Sequence, residues 1–251
     1  KLKLDSIATS GLEKGIPGIQ VIISDSKGYT IYNYGHHEIE KTTEVNDSTR
    51  WRYGSITKVF TAVMILQLES EGKLSIDDSV TKYIDLKQHN AAGITIKHLL
   101  NHSSGLYNYT ASKKLKWEDT PNQCLENSLK RKLNFTPGSK YDYCNTGYVI
   151  LGLIIEKITA QSYQQNITER IFKPCGLESM IYCSDDKIPF NTARGYKIKH
   201  NKYTDFTEID HSWANSAGAV LGNLTDLNKF VDCLFKGNLI DSSQLKKMIS
   251  P

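Results

Sequence analysis

A serine followed three residues later by a lysine places a hydroxyl and an amine on one face of a helix. An amine held in a dry pocket loses its charge and acts as a base toward that hydroxyl, turning the serine into a nucleophile. The 251-residue chain contains six such pairs: Ser24/Lys27, Ser55/Lys58, Ser70/Lys73, Ser79/Lys82, Ser184/Lys187 and Ser243/Lys246. Chance explains most of them, so the surroundings must discriminate. Only Ser55/Lys58 opens a long apolar run, in which Ile56, Val59, Phe60, Val63, Met64, Ile65, Leu66 and Leu68 leave little polar face. That pattern predicts a helix over Ser55–Glu71 buried on most sides, with Gly72 as its stop. Gly54 allows a ligand to approach the backbone closely, and a helix N-terminus offers N–H groups and a positive dipole end to an oxyanion. In the other five pairs the lysine stays solvated and charged. A structural alternative stays open for the chosen pair, with Ser55 as a helix cap and Lys58 as a snorkelling side chain.

The second candidate is Tyr143-Cys144-Asn145, the one Tyr-x-Asn of the chain, lying between Pro137-Gly138 and the apolar run Tyr148–Ile158. A tyrosine beside a cation can share its proton, and an asparagine amide can hold a substrate carbonyl or the lysine. The structural alternative is a helix N-cap at Asn145 with a packed Tyr143.

These residues need a scaffold. Ile19–Ser24 and Tyr29–Tyr34 flank the turn residues Asp25–Gly28 and predict an antiparallel hairpin. Helices are expected over Thr95–Leu100, Asn122–Lys132, Thr146–Thr159, Ser162–Phe172 and Asp226–Phe235, the last capped by Thr225. A second short hairpin is expected from Arg194–Lys199 and Lys202–Thr207. Strands, then many helices, then strands define an α+β protein, an antiparallel sheet flanked by helices with a helical region inserted.

Composition excludes other classes. Apolar residues at 39% and charged residues at 23% describe a folding chain, and a net charge of +4 gives no reason to expect a nucleic-acid partner. The apolar runs Val59–Leu68 and Tyr148–Ile155 fall far short of the ~20 residues of a membrane span. His98 and His102 have the i, i+4 spacing of zinc ligands but no third ligand beside them, so no metal site is expected. The five cysteines form no C-x-x-C pair, and Cys175 with Cys183 is the disulfide that proximity suggests, reduced core thiols being the alternative.

Further segments join the two candidates in one order: Tyr53-Gly-Ser-Ile-Thr-Lys58, Leu99-Leu-Asn-His-Ser-Ser-Gly-Leu106, Pro137-Gly-Ser-Lys-Tyr-Asp-Tyr-Cys-Asn-Thr-Gly-Tyr-Val-Ile-Leu-Gly152, Ile171-Phe-Lys-Pro-Cys-Gly-Leu177, and Ser216-Ala-Gly through Phe230. With them the chain resembles the serine β-lactamase and penicillin-binding protein superfamily, nearest its class C-like branch, in which Tyr-x-Asn replaces Ser-Asp-Asn. The resemblance implies one β-lactamase-like domain over 1–251, sheet-associated over 1–74 and 190–251 and mainly helical over 75–189. It implies Ser55, Lys58 and Tyr143 as catalytic residues and Asn145 as substrate-binding. No metal or organic cofactor is required, and the expected compartment is periplasmic or secreted. The implied function is serine acyl hydrolysis of a D-alanyl peptide, a β-lactam or a small ester, with peptidase or esterase activity ahead of β-lactam turnover. The alternative is a non-catalytic scaffold or ligand-binding protein that keeps the fold. The family's third motif, Lys-Thr-Gly or His-x-Gly on a closing strand, is not found, so the chain is expected to be truncated at its C-terminus.

Overall fold

The computed structural model describes residues 2–86, 91–112, 120–183, 188–200, 202–208 and 212–250; Ser184/Lys187 lies outside them. The chain runs through α1 (Leu2–Glu13), β1 (Gly18–Asp25), β2 (Gly28–Gly35), β3 (Arg50–Arg52), α2 (Thr57–Ser70) and α3 (Ile96–Leu100). It continues through α4 (Pro121–Leu129), α5 (Asn145–Thr159), α6 (Tyr163–Ile167), β4 (Ile181–Tyr182), β5 (Tyr196–Lys199) and β6 (Lys202–Asp205). It closes with β7 (Val220–Asn223), α7 (Leu224–Phe235) and α8 (Ser242–Ile249). The strand pairs β1–β2, β3–β7, β4–β7 and β5–β6 are all antiparallel. The fold is of the β-lactamase/transpeptidase-like kind, helices packed with antiparallel sheets.

Helix α2 is buried because its sequence leaves no polar stripe: ten of its fourteen residues are buried, Phe60, Val63, Met64, Ile65 and Leu68 completely. Each such side chain contributes about 1.5–3 kcal/mol relative to exposure. Phe60 stacks on Phe230 of α7 at 4.1 Å and meets Phe172 edge-on at 6.1 Å. Gly72 ends the helix with φ +69°. Its N–H bonds to the Glu69 carbonyl and that of Lys73 to the Leu68 carbonyl, the Schellman pattern. Helix α5 is equally apolar and packs against α2. Hairpin β1–β2 forms as expected, with Asp25 opposite Gly28 across the turn.

The three-stranded sheet β3–β7–β4 has no signal in the sequence, because strands of two to four residues are too short to show alternation. It fixes the start of α2. The Tyr53 N–H bonds to the Val220 carbonyl at 3.0 Å, and the Val220 N–H to the buried Thr57 hydroxyl at 3.1 Å. Just before β7, residues 212–217 make a tight turn in which Asn215 adopts φ 41°, ψ −138°, a region that strains a residue with a Cβ. The N–H groups of Gly218 and Ala219 both converge on its carbonyl at 3.0 Å and hold it there. Gly152 of α5 lets this turn dock, since a Cβ at that position would lie 2.2 Å from the Ser216 hydroxyl oxygen.

Three expectations and one structural alternative need correction. Ser162–Phe172 is not one α-helix: α6 gives way to a π-helical turn over Thr168–Phe172. The cap of α7 is Asn223, whose side chain accepts from the Asp226 N–H at 2.8 Å; β7 runs straight into the helix and leaves Thr225 already inside it. Asn145 is the first residue of α5 and not its N-cap, a position held by Cys144 without a side-chain bond. The disulfide joins Cys175 to Cys233, not to Cys183. Helix α7 carries Cys233 to the 173–177 turn, whereas the Cys183 N–H pairs with the Ala219 carbonyl and its thiol lies against the Arg52 guanidinium.

The Cys175–Cys233 link closes 58 residues of sequence. Closing a loop of that length stabilises by about 4 kcal/mol in the chain-entropy picture, with measured values nearer 2–4 kcal/mol. Reducing agent is expected to lower the urea midpoint of the wild type to that of Cys233→Ser. Identical midpoints for the oxidised protein and the variant would contradict this.

Candidate active site

Ser55 lies in the 3₁₀ turn Gly54–Ile56 that leads into α2, after Gly54 at φ +52°. One turn on, Lys58 is 6% exposed. Its Nζ donates to Ser55 Oγ at 3.1 Å and to the Ala217 carbonyl at 2.7 Å, while the Tyr143 hydroxyl donates to the same Oγ at 2.7 Å. The structure thus brings Ser55, Lys58 and Tyr143 within hydrogen-bond reach of one oxygen. Lys58 also lies over the rings of Tyr143 and Tyr148, 5.0 and 5.4 Å from their centres. Among the described residues no carboxylate comes within ion-pair distance of it. Burial without a counter-ion disfavours the ammonium and pulls the Lys58 pKa down to about 8.

Tyr143 is presented by an extended segment before α5 and is kept in place by His102. The His102 ring lies 4.4 Å from that of Tyr143 and 5.2 Å from that of Tyr148. Its Nδ1 accepts from the Cys144 N–H at 3.2 Å, so the ring proton of the neutral form resides on Nε2. Burial, reinforced by the Lys58 charge, holds the His102 pKa down to about 4. His98 likewise spends its Nδ1 on the Thr95 N–H. Both imidazoles of the i, i+4 pair therefore serve the backbone, and the described residues hold no group of three or more metal-ligating side chains.

Asn145 is placed differently from the other three. Its Nδ2 donates to the Thr110 hydroxyl at 3.0 Å and to Asn108 Oδ1 at 3.4 Å, and it makes no hydrogen bond to Lys58. The Ala217 carbonyl, aimed by the strained turn at Asn215, orients the lysine instead. Sequence reasoning missed this carbonyl because any residue supplies one. It also missed Asn108 and Thr110, although they directly follow the Leu99–Leu106 segment.

The depressed Lys58 pKa has a stability consequence. Between pH 8 and 10.5 the unfolded chain binds a proton at Lys58 that the folded chain does not, so stability rises with pH through that window. A shift of this size corresponds to about 3 kcal/mol. The stability of the wild type relative to Lys58→Met is therefore expected to rise by about 2–3 kcal/mol from pH 7 to pH 10.5 in paired urea titrations. A pH-independent difference would mean that Lys58 keeps an ordinary pKa in the fold.

Residues 4–251 match the family model for Beta-lactamase. Among solved structures, the D-stereospecific amidohydrolase from Streptomyces sp. is 28% identical with a TM-score of 0.87, covering 98% of this chain and 76% of that one. The D-amino acid amidase of Ochrobactrum anthropi SV3, in complex with D-phenylalanine, is 25% identical with a TM-score of 0.87, covering 96% and 72%. Protein flp of Staphylococcus aureus (strain MW2) is 28% identical over 241 residues, 91% of this chain and 48% of that protein. The chain thus spans about half the length of such curated relatives. The family match takes in both apolar helices, the Ser55 turn and the Tyr143 segment, and the chain belongs to the Beta-lactamase family.

Proposed function

We propose that Ser55 is the nucleophile of a serine acyl hydrolase acting on amides, peptides or esters of D-amino acids through an acyl-Ser55 intermediate. The observation that carries this reading is the shared contact of Lys58 Nζ and Tyr143 OH with Ser55 Oγ, beside a lysine whose pKa is near 8. Neutral Lys58 takes the Ser55 proton as Oγ attacks the acyl carbonyl. The lysinium and Tyr143 pass that proton to the leaving amine or alcohol as the tetrahedral adduct collapses. Water then attacks the ester, its proton passes to neutral Lys58 directly or through the Tyr143 hydroxyl, which gives up its own proton as it takes the new one, and Ser55 leaves with a proton returned from the lysinium. The D-amino acyl preference comes from the relatives, two of which are named for D-stereospecific or D-amino acid amide hydrolysis.

β-Lactams should be poor substrates. Their ring fragment stays on the acyl group and obstructs water, so fast turnover needs a dedicated base. Among the described residues no carboxylate is hydrogen-bonded to Ser55, Lys58 or Tyr143. The disulfide supports a periplasmic or secreted location, where such bonds persist.

The test combines labelling and rate. Intact mass after incubation with a fluorophosphonate should show one adduct, lost in Ser55→Ala. Hydrolysis of D-alanine p-nitroanilide should rise with pH to a plateau above about pH 8, following deprotonation of Lys58. It should fall ~10²–10⁴-fold in Tyr143→Phe. An adduct on another serine would sink the assignment of the nucleophile. Labelling without turnover of any D-amino acyl substrate would favour the scaffold reading, and a chromogenic cephalosporin hydrolysed faster than the anilide would reverse the substrate order.

A further inference from the structure

The segment after the Leu99–Leu106 motif is laced to the Tyr143-x-Asn145 segment along its whole length. Asn108 Nδ2 donates to the Tyr143 carbonyl at 3.4 Å. Asn108 Oδ1 receives the backbone N–H of Asn145 at 3.2 Å, the N–H and hydroxyl of Thr110 at 3.4 and 2.9 Å, and Asn145 Nδ2 at 3.4 Å. The Tyr109 N–H donates to the Thr146 hydroxyl, which donates in turn to the Tyr107 carbonyl.

Backbone N–H groups are donors and nothing else, so the two that meet Asn108 identify the atom they meet as its carbonyl oxygen. The group of Asn145 facing that oxygen must then be its NH₂, which Thr110 Oγ1 also accepts. Both donors of the Asn145 amide are thereby spent inside the protein. Its carbonyl oxygen has no hydrogen-bond partner among the described residues.

We propose that Asn108 is a positioning residue of this site, which anchors Tyr143 through one end of its amide and, through the other, makes Asn145 present a hydrogen-bond acceptor to the cleft. The inference rests on Ser55 as nucleophile and deepens that reading. A substrate with an N–H donor beside the scissile carbonyl, such as a free α-amine, satisfies the Asn145 oxygen; one without it leaves the oxygen unpaired.

The experiment compares D-alanine p-nitrophenyl ester with p-nitrophenyl propionate, which lacks the amine. In the wild type kcat/KM is expected to favour the alanyl ester by ~10-fold or more. Asn108→Ala should lower kcat for both esters by ~10- to 100-fold through a misplaced Tyr143 and reduce the preference between them to about threefold or less. Asn108→Asp retains the acceptor but not the donor, so it should recover the preference and not the kcat. A merely structural Asn108 would lower both rates together and leave the preference intact, which would overturn the proposal. If Asn108→Ala does not fold, Thr110→Val, which frees one Asn145 donor, must narrow the preference at least threefold or the proposal fails. Hydrogen exchange of the Asn145 side-chain NH₂, followed by NMR in the wild type, needs no turnover. Protection supports the clamp, and exchange at the solvent rate overturns it. Absence of Ser55 labelling beside a protected Asn145 amide would place the failure with the hydrolase reading and not with the clamp.

Discussion

A buried ammonium with no counter-ion among the described residues is the constraint around which this structure is arranged. Lys58 is almost completely enclosed, and leaving a charge there unpaired is costly. The described residues meet that cost without a carboxylate. One proton of the ammonium goes to the Ala217 carbonyl, another to Ser55 Oγ, and the faces of Tyr143 and Tyr148 cover the rest. These neutral partners make the charge tolerable without making it favourable, which is why the pKa settles near 8. A carboxylate in the place of the Ala217 carbonyl would restore a permanent cation and remove the base that the proposed reaction uses.

The neutral shell depends in turn on two apolar helices and one strained turn. Helices α2 and α5 exclude water because neither has a polar stripe, and both begin at the site, so Lys58 and Tyr148 stand on rigid supports. The turn that aims Ala217 is possible because Gly152 has no side chain and because two N–H groups hold Asn215 in its strained conformation. Tyr143 is the exception, since it precedes α5 on an extended segment. His102 and the 106–110 segment supply the support that a helix would otherwise give.

What was legible in the sequence follows from range. Ser55/Lys58 could be chosen among six pairs because the helix it opens is apolar on nearly every side over fourteen residues. Tyr143 and Asn145 could be found because a polar pair stands directly before a second such run. Ala217 was not legible, because its contribution is a main-chain atom. Asn108 and Thr110 were not, because their partners lie 35 or more residues away and their types are ordinary turn residues. The bond of Cys175 to Cys233 failed for a related reason. Nearness in sequence suggested Cys183, whereas helix packing decided the partner. The sheet β3–β7–β4 is built from strands too short to carry any pattern, although the start of α2 hangs on it.

The absence of a carboxylate partner among the described residues also constrains the second half of the proposed reaction. After acylation Ser55 Oγ is esterified, and the proton it lost has gone to the leaving group, so Lys58 is neutral once more. Water attacking the ester needs a base, and the described groups that meet Oγ are Lys58 and Tyr143. The pair that activated the serine must then activate the water, with the steps reversed in order, as microscopic reversibility allows for one site run in both directions. His102 cannot relieve them. Its Nδ1 is occupied by the Cys144 N–H, and a pKa near 4 leaves it too weak a base for the task. On the proposed route, a site built this way would clear small acyl groups that leave the water a path to the carbonyl and stall on those that close it.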